Sequence, residues 1–286
     1  MSASQFSGEV AWVTGSSKGI GRAASIGLAE QGCDVVVHYN SSEDEAREVE
    51  KQIRAAGGDA LLLKGDVTST DDVRRMATEI EDHYGRVDIL VNNAGSMVAR
   101  ATLAEMTDAV WDRVMNVNLK SVYLCSQAVL PIMKRQGEGR IINMTSVSAR
   151  DGGSPSSLAY STAKGGVSTL TRAMAKDLVG EGIRVNGVAP GRIDTPFHDE
   201  FTTDEKRAQA AQSIPLGREG APEEVVDAVL FLASSQADYI VGEIIEVNGG
   251  MLMDRGHRLQ EERPDACGLL PVAFPHFRFV PHANLF

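Results

Sequence analysis

Val10-Ala-Trp-Val-Thr-Gly-Ser-Ser-Lys-Gly-Ile-Gly21 decides the fold of this chain. Val10 to Thr14 is a short apolar run that reads as a buried strand. It breaks into a glycine-rich turn, and a helix is expected from Ile20 to about Gln31. Each glycine has a separate job in such a turn. Gly15 permits the tight bend, Gly19 lets the backbone approach a phosphate, and Gly21 lets helix and strand pack closely. Ser17, Lys18 and Ile20 complete the loop. The first helical N–H groups lack intrahelical partners and carry the positive end of the helix dipole, so they face a pyrophosphate.

Working outward, the same unit repeats. Strands are expected at 34–39, 60–64, 87–92, 140–144, 183–188 and 244–247, with helices at 43–56, 71–84, 111–136 and 159–180 between them. Short apolar strands spaced by amphipathic helices indicate parallel βαβ units. The expected fold class is therefore α/β: a doubly wound, Rossmann-type parallel sheet of about seven strands with helices on both faces. One domain spans 1–253. Beyond it, 254–286 holds four of the ten prolines and four of the eight phenylalanines and shows no helical periodicity. It reads as a C-terminal extension: a peripheral appendage, or an extended segment packed on a neighbouring subunit.

Composition excludes several classes of function. The net charge of −11 over 286 residues disfavours nucleic acid or an anionic membrane as the main partner. Three scattered cysteines make neither a disulfide framework nor a metal site, and the six histidines have no ligand-like spacing, so no metal is assigned. The N-terminus lacks the basic and apolar regions of a signal peptide, and no apolar run is long enough to span a membrane. A cytoplasmic setting is expected.

The end of the second strand bears on which dinucleotide binds. An acidic residue there would hold the ribose 2′-hydroxyl and repel a 2′-phosphate. This chain has Tyr39, Asn40 and Ser41, with no carboxylate before Glu43, and Lys18 adds a cation. These groups suit a dianionic phosphate and favour NADP(H) over NAD(H), although Ser41-Ser42 also suit a helix cap. Asn92-Asn-Ala-Gly95 follows another strand and places a backbone wall along the same crevice.

Tyr160 and Lys164 are spaced i, i+4, so a helix sets phenol and ammonium on one face. A unit charge about 4 Å away, at an effective dielectric near 20, is worth roughly 4 kcal/mol, which would bring a phenol towards neutrality. Ser146 lies fourteen residues upstream of the tyrosine, flanked by Thr145 and Ser148.

Together these residues resemble the short-chain dehydrogenase/reductase family over about residues 6–253. The likeness rests on the turn at 14–21, Asp66-Val67, Asn92-Asn-Ala-Gly95, Asn118, Ser146, Tyr160-x-x-x-Lys164, Pro190-Gly191 with Thr195, and Val247-Asn-Gly-Gly-Met251. The resemblance implies Tyr160 as general acid/base, Ser146 on the substrate oxygen, Lys164 on the nicotinamide ribose, and Asn118 on a water leading to Lys164. It places Asp66 and Val67 at the adenine, and Asn92, Ala94 and Gly95 along the adenosine. Ile193 and Thr195 fall at the nicotinamide carboxamide, and Pro190 and Gly191 are among the implied cofactor-binding residues.

The implied activity is NADPH-dependent reduction of a ketone to a secondary alcohol, or the reverse, on a small or medium free substrate. The look is closest to 3-oxoacyl-(acyl carrier protein) reductase-like members, which is the alternative enzyme reading. Those enzymes usually carry a basic docking residue where this chain has Glu181, and a carboxylate would repel an acidic carrier. A non-catalytic NADP-binding sensor is the alternative from another class. The lid-like segment 194–216, with Phe197, His198, Phe201 and Met97, is expected over the substrate. Pairing through 111–136 and 159–180, aided by Ala163, Gly165 and Gly166, would give a homodimer or homotetramer.

Overall fold

The computed structural model describes residues 5–196 and 211–253. Seven parallel strands form one sheet: β1 (Val10–Val13), β2 (Asp34–Tyr39), β3 (Ala60–Lys64), β4 (Ile89–Asn92), β5 (Gly139–Met144), β6 (Ile183–Pro190) and β7 (Ile244–Val247). Their spatial order is β3-β2-β1-β4-β5-β6-β7, so the direction of winding reverses between β1 and β4. Loops leaving β1 and β4 part there, which opens a crevice at the carboxyl ends of the strands.

Alternation along each strand builds two cores. On β2, Val35 and Val37 face one side and Val36 the other. Helices α1 (Gly19–Glu30) and α2 (Glu43–Ala55) cover the first face, where Leu28, Val49 and Ile53 pack with Val13, Val35 and Val37. Helices α3 (Thr70–Tyr84), α5 (Ser121–Gln136) and α7 (Leu158–Leu178) cover the second, where Met76, Ile80, Val129 and Met133 pack on Trp12, Leu90 and Ile141. Both faces are dry, which is why the strands read as continuous apolar runs.

The structure departs from the sequence expectation in several places. The helix expected at 111–136 starts earlier, as α4 (Asp108–Met115), because Thr107 caps it by accepting a hydrogen bond from the Val110 amide. It then widens into a π turn, Asn116–Lys120, before α5. A helix not foreseen from the sequence, α8 (Pro222–Ala233), joins the first face; proline opens it and Glu224 accepts from the Ala221 amide at 2.7 Å. β6 runs two residues past the expected end because Ala189 and Pro190 pair with Glu246 and Val247 of β7. A short helix, α6 (Ser148–Asp151), lies between β5 and α7. No helix among the described residues is long and apolar enough to cross a membrane. The proline- and phenylalanine-rich extension at 254–286 lies outside the described residues.

Candidate active site

A cavity of about 780 Å³ occupies the crevice between the loops after β1 and β4. Its floor at one end is the glycine-rich turn. Residue Lys18 starts α1 without a side-chain hydrogen bond to the helix, and the first turn holds no carboxylate. Compare α3, where Ser69 accepts from Asp72. The uncapped N–H groups of α1 therefore remain available to an anion at the cavity wall. Positive φ at Gly15 (66°) and Gly19 (54°) requires glycine. At Gly21 a Cβ would run into the Gly15 carbonyl and Asn93 Nδ2, so close packing of helix on turn explains the third glycine.

Buried side chains lock this turn. Thr14 Oγ1 accepts from the amides of Asn93 and Ala94, both at 3.0 Å. Asn93 Nδ2 donates to the carbonyls of Thr14 and Gly15. His38, at 2% exposure, accepts from the Gly15 amide through Nδ1 at 2.8 Å, and its Nε2 lies 3.0 Å from the Gly65 carbonyl. Burial holds this imidazole's pKa below its ordinary value, opposed by the Gly65 hydrogen bond and by Asp66 and Asp72. His38 and Asn93 thus shape the cofactor turn, and neither was assigned a role from the sequence. A histidine closing a strand beside a glycine turn was the available signal.

The expected cofactor residues Gly15, Ser17, Lys18, Gly19, Ile20, Gly21, Tyr39, Asn40, Ser41, Asp66 and Val67 all line the cavity, as do Ala94, Gly95, Pro190, Gly191, Ile193 and Thr195. Asn92 does not. It ends β4 with its side chain turned into the protein, where Nδ2 donates to Ser126 Oγ and Asn143 Oδ1. Successive residues of a strand point to opposite sides, so only one of the two adjacent amides can serve the turn, and it is Asn93. Lys18 is also not a free cation: its Nζ pairs with Glu45 at 2.7 Å, both side chains being about half exposed (47% and 46%).

At the other end stand Ser146, Tyr160 and Lys164. Ser146 follows β5, and Tyr160 and Lys164 sit one turn apart in α7, all lining the cavity. The Ser146 hydroxyl lies beside the Tyr160 phenol and works to lower its pKa. The Ser146 oxygen accepts from the Ser148 amide at 3.1 Å. Thr145 and Ser148 line the cavity as well, but it is Ser146 whose hydroxyl acts on the phenol's pKa. Lys164 Nζ donates to the Met144 carbonyl at 2.7 Å and lies 5.7 Å from the centre of the Tyr160 ring.

Electrostatics here reverse one expectation. Burial pushes the Tyr160 phenol up to about 12, against a lowering by the Ser146 hydroxyl. Burial likewise pulls Lys164 down to about 8. Taking both groups out of water outweighs the attraction that the i, i+4 spacing promised, and the lysine spends its hydrogen bond on a backbone carbonyl. The phenol is a protonated donor at neutral pH. Asn118 lies behind this pair, on the π turn. Its Oδ1 accepts from the Ser96 amide, and its Nδ2 donates to the carbonyls of Ser96 and Val114. Gly95 separates it from Lys164: a Cβ there would meet Asn118 Oδ1 at 2.7 Å and Lys164 Nζ at 3.4 Å.

On the substrate side Met97 is buried in the cavity wall. Phe197, His198 and Phe201 lie outside the described residues. Of the small residues expected to aid pairing, Ala163 is fully buried and Gly166 packs on Leu119, both within the subunit.

A family model described as enoyl-(acyl carrier protein) reductase matches residues 15–252. The 3-oxoacyl-(acyl-carrier-protein) reductase of Staphylococcus epidermidis is 42% identical over 243 residues, covering 85% of this chain and 98% of that protein. The corresponding protein of Thermotoga maritima is 38% identical over 251 residues, covering 86% and 98%. Among solved structures, a short-chain type dehydrogenase/reductase from Mycobacterium marinum matches with a TM-score of 0.82 at 36% identity, covering 87% of this chain and 97% of that one. A 7α-hydroxysteroid dehydrogenase complexed with NADH and 7-oxo glycochenodeoxycholic acid matches with a TM-score of 0.82 at 35% identity, covering 87% and 96%.

Proposed function

The chain belongs to the short-chain dehydrogenase/reductase family, and we propose that within it Tyr160, Ser146 and Lys164 reduce the carbonyl of a small free substrate with NADPH. It is an oxidoreductase acting between carbonyl and alcohol, with a nicotinamide cofactor that supplies or takes the hydride. The observation that supports the residue roles is the grouping of Ser146, Tyr160 and the buried Lys164 on one cavity wall. In reduction the protonated Tyr160 phenol donates to the carbonyl oxygen as negative charge develops there. The Ser146 hydroxyl holds the same oxygen. Lys164 steadies the phenolate left behind and would hold the cofactor's ribose. Asn118 orders the backbone of Ser96 and Gly95 behind it.

Several features support NADPH. The end of β2 presents Tyr39, Asn40 and Ser41 to the cavity without a lining carboxylate, and Lys18 stands at the same rim. The 7α-hydroxysteroid relative was solved with NADH, so family membership alone leaves this choice to the rim residues. Cytoplasmic residence and assembly as a dimer or tetramer belong to the same reading.

A second reading, reduction of a carrier-bound 3-oxoacyl thioester, draws on the names of the 42%-identical relatives. Against it stands Glu181, although its charge is offset by Lys134 Nζ at 2.8 Å. Repulsion of an acidic carrier is therefore weaker than the bare sequence suggests.

The test is a panel of ketones and alcohols with NADPH and NADH, followed by absorbance of the reduced nicotinamide. Tyr160→Phe is expected to lower kcat by about 10²- to 10⁴-fold with cofactor binding retained. Retained turnover in Tyr160→Phe removes the assigned role. Turnover of a carrier-bound thioester far above its free analogue transfers the assignment to the second reading.

A further inference from the structure

The cavity's charge opposes that of the chain. Its wall carries Lys18, Arg100, Lys164 and Arg192 against Asp66 and Asp151, in a protein of net charge −11. Two of the four cations have carboxylate partners, Lys18 with Glu45 and Arg192 with Glu219 at 3.7 Å, and Lys164 is buried against the Met144 carbonyl. Arg100 is exposed at the cavity wall. Among the described residues no carboxylate pairs with it. Nη1 makes both of its hydrogen bonds, to Ser154 Oγ at 2.9 Å and to the Pro155 carbonyl at 3.4 Å. Nη2 and Nε remain for a planar two-oxygen partner.

The backbone around Arg100 is strained in a way that the other described residues avoid. Among the described residues, only Val98 (φ 61°) and Ser156 (φ 66°) are non-glycine residues at positive φ. For β-branched Val98 this conformation is disfavoured by its own side chain. Both lie in the two loops that flank the catalytic groups, 96–107 after β4 and 152–157 before α7. These loops are stitched together, the Ala101 amide donating to the Ser156 carbonyl at 3.0 Å beside the Arg100–Ser154 bond. Local strain persists only where surrounding contacts impose it, and it concentrates at ligand sites. Here it fixes the segment that carries an uncompensated guanidinium at the cavity wall. Met97, next to Val98, is buried in that same wall.

We infer that the substrate is an oxo acid or hydroxy acid whose carboxylate docks on Arg100 while its carbonyl or alcohol oxygen sits at Ser146 and Tyr160. This inference rests on the carbonyl-reducing reading and adds the substrate's chemical class. An arginine at the mouth of an otherwise acidic protein both attracts the anion and fixes its orientation.

The test uses the full chain and matched pairs of straight-chain 2-, 3-, 4- and 5-oxo acids and their methyl esters, with 3-oxoacyl coenzyme A thioesters as a third arm. The wild type is expected to favour at least one acid over its ester about tenfold in kcat/KM, chiefly through KM. Arg100→Gln should collapse that ratio towards one, and Arg100→Lys should restore part of it by returning the charge without the fork. Cofactor binding by each variant reports on the integrity of the fold. Equal acid and ester turnover in the wild type overturns the inference, as does an equal loss on both substrates in Arg100→Gln. A loss confined to the coenzyme A thioesters assigns Arg100 to a phosphate and also overturns it. Turnover of esters alone leaves the carbonyl-reducing reading standing. Failure on every carbonyl with either nicotinamide sinks that reading itself.

Discussion

The Gly15 amide donates to Nδ1 of His38, so the imidazole is neutral and carries its proton on Nε2, directed at the Gly65 carbonyl. One ring thus ties the cofactor turn after β1 to the end of β2 and to the loop after β3. A proton on Nδ1 would set two N–H groups against each other.

Acid should therefore loosen the turn. The folded pKa of His38 lies below its unfolded value of about 6.5. In the window between the two, the unfolded chain binds the extra proton, so stability falls as pH drops below about 6.5. Thermal melts and cofactor titrations from pH 5 to 8 should show both losses together. In His38→Asn, which keeps an acceptor near Nδ1, the slope should flatten at a cost of roughly 1–3 kcal/mol at pH 7.5. Equal slopes in both proteins would remove His38 from the account.

The Lys18–Glu45 pair bears on cofactor choice. A 2′-phosphate bound at the rim would compete with Glu45 for the lysine. Glu45→Gln is expected to tighten NADPH about threefold while altering NADH less than twofold, and Lys18→Ala to weaken NADPH selectively. Isothermal titration with both cofactors at two salt concentrations measures this directly. Parallel changes for NADPH and NADH would place the 2′-phosphate elsewhere.

Burying Lys164 works against stability. Its pKa is pulled to about 8 from 10.5 by desolvation. Below pH 8 the folded chain carries the full cost of the buried cation. Between pH 8 and 10.5 only the unfolded chain keeps the proton, so that cost fades as pH rises. Lys164→Met should be inactive yet more stable at pH 7 by roughly 1–3 kcal/mol, with the gap narrowing towards pH 10. Denaturant midpoints across that range decide it; a gap that widens with pH contradicts the assignment.

Gly21 tests the packing of the turn itself. A methyl group there has no room beside the Gly15 carbonyl and Asn93. Gly21→Ala should cost about 1–3 kcal/mol and weaken cofactor binding at least tenfold. Gly57→Ala, where a Cβ meets nothing within 4 Å but φ is 91°, should cost stability alone. Similar cofactor affinities in the two variants would show that the turn tolerates the methyl group.

Most of the architecture was legible because it rests on local rules. Buried parallel strands are apolar runs, and the helix following the glycine turn begins where Gly19 and Gly21 allow it. The missed helix α8 carries its signals, a proline start and a glutamate cap, after a long polar segment that obscures them. Asn92 and Asn93 were indistinguishable in the sequence, because which of two neighbours faces the crevice depends on where β4 ends.

The sequence by itself determined the doubly wound sheet, the glycine-rich turn and the Ser146, Tyr160 and Lys164 set, since each is a matter of residue type at fixed spacing. Only the tertiary structure decided their electrical state. It paired Lys18 with Glu45 and Glu181 with Lys134, kept His38 neutral, and left Arg100 without a carboxylate among the described residues. Charge depends on distance and on burial, and both are set by parts of the chain far apart in sequence. A spacing of four residues places a phenol near an ammonium. The surrounding protein decides whether desolvation or attraction prevails, and at Tyr160 desolvation does.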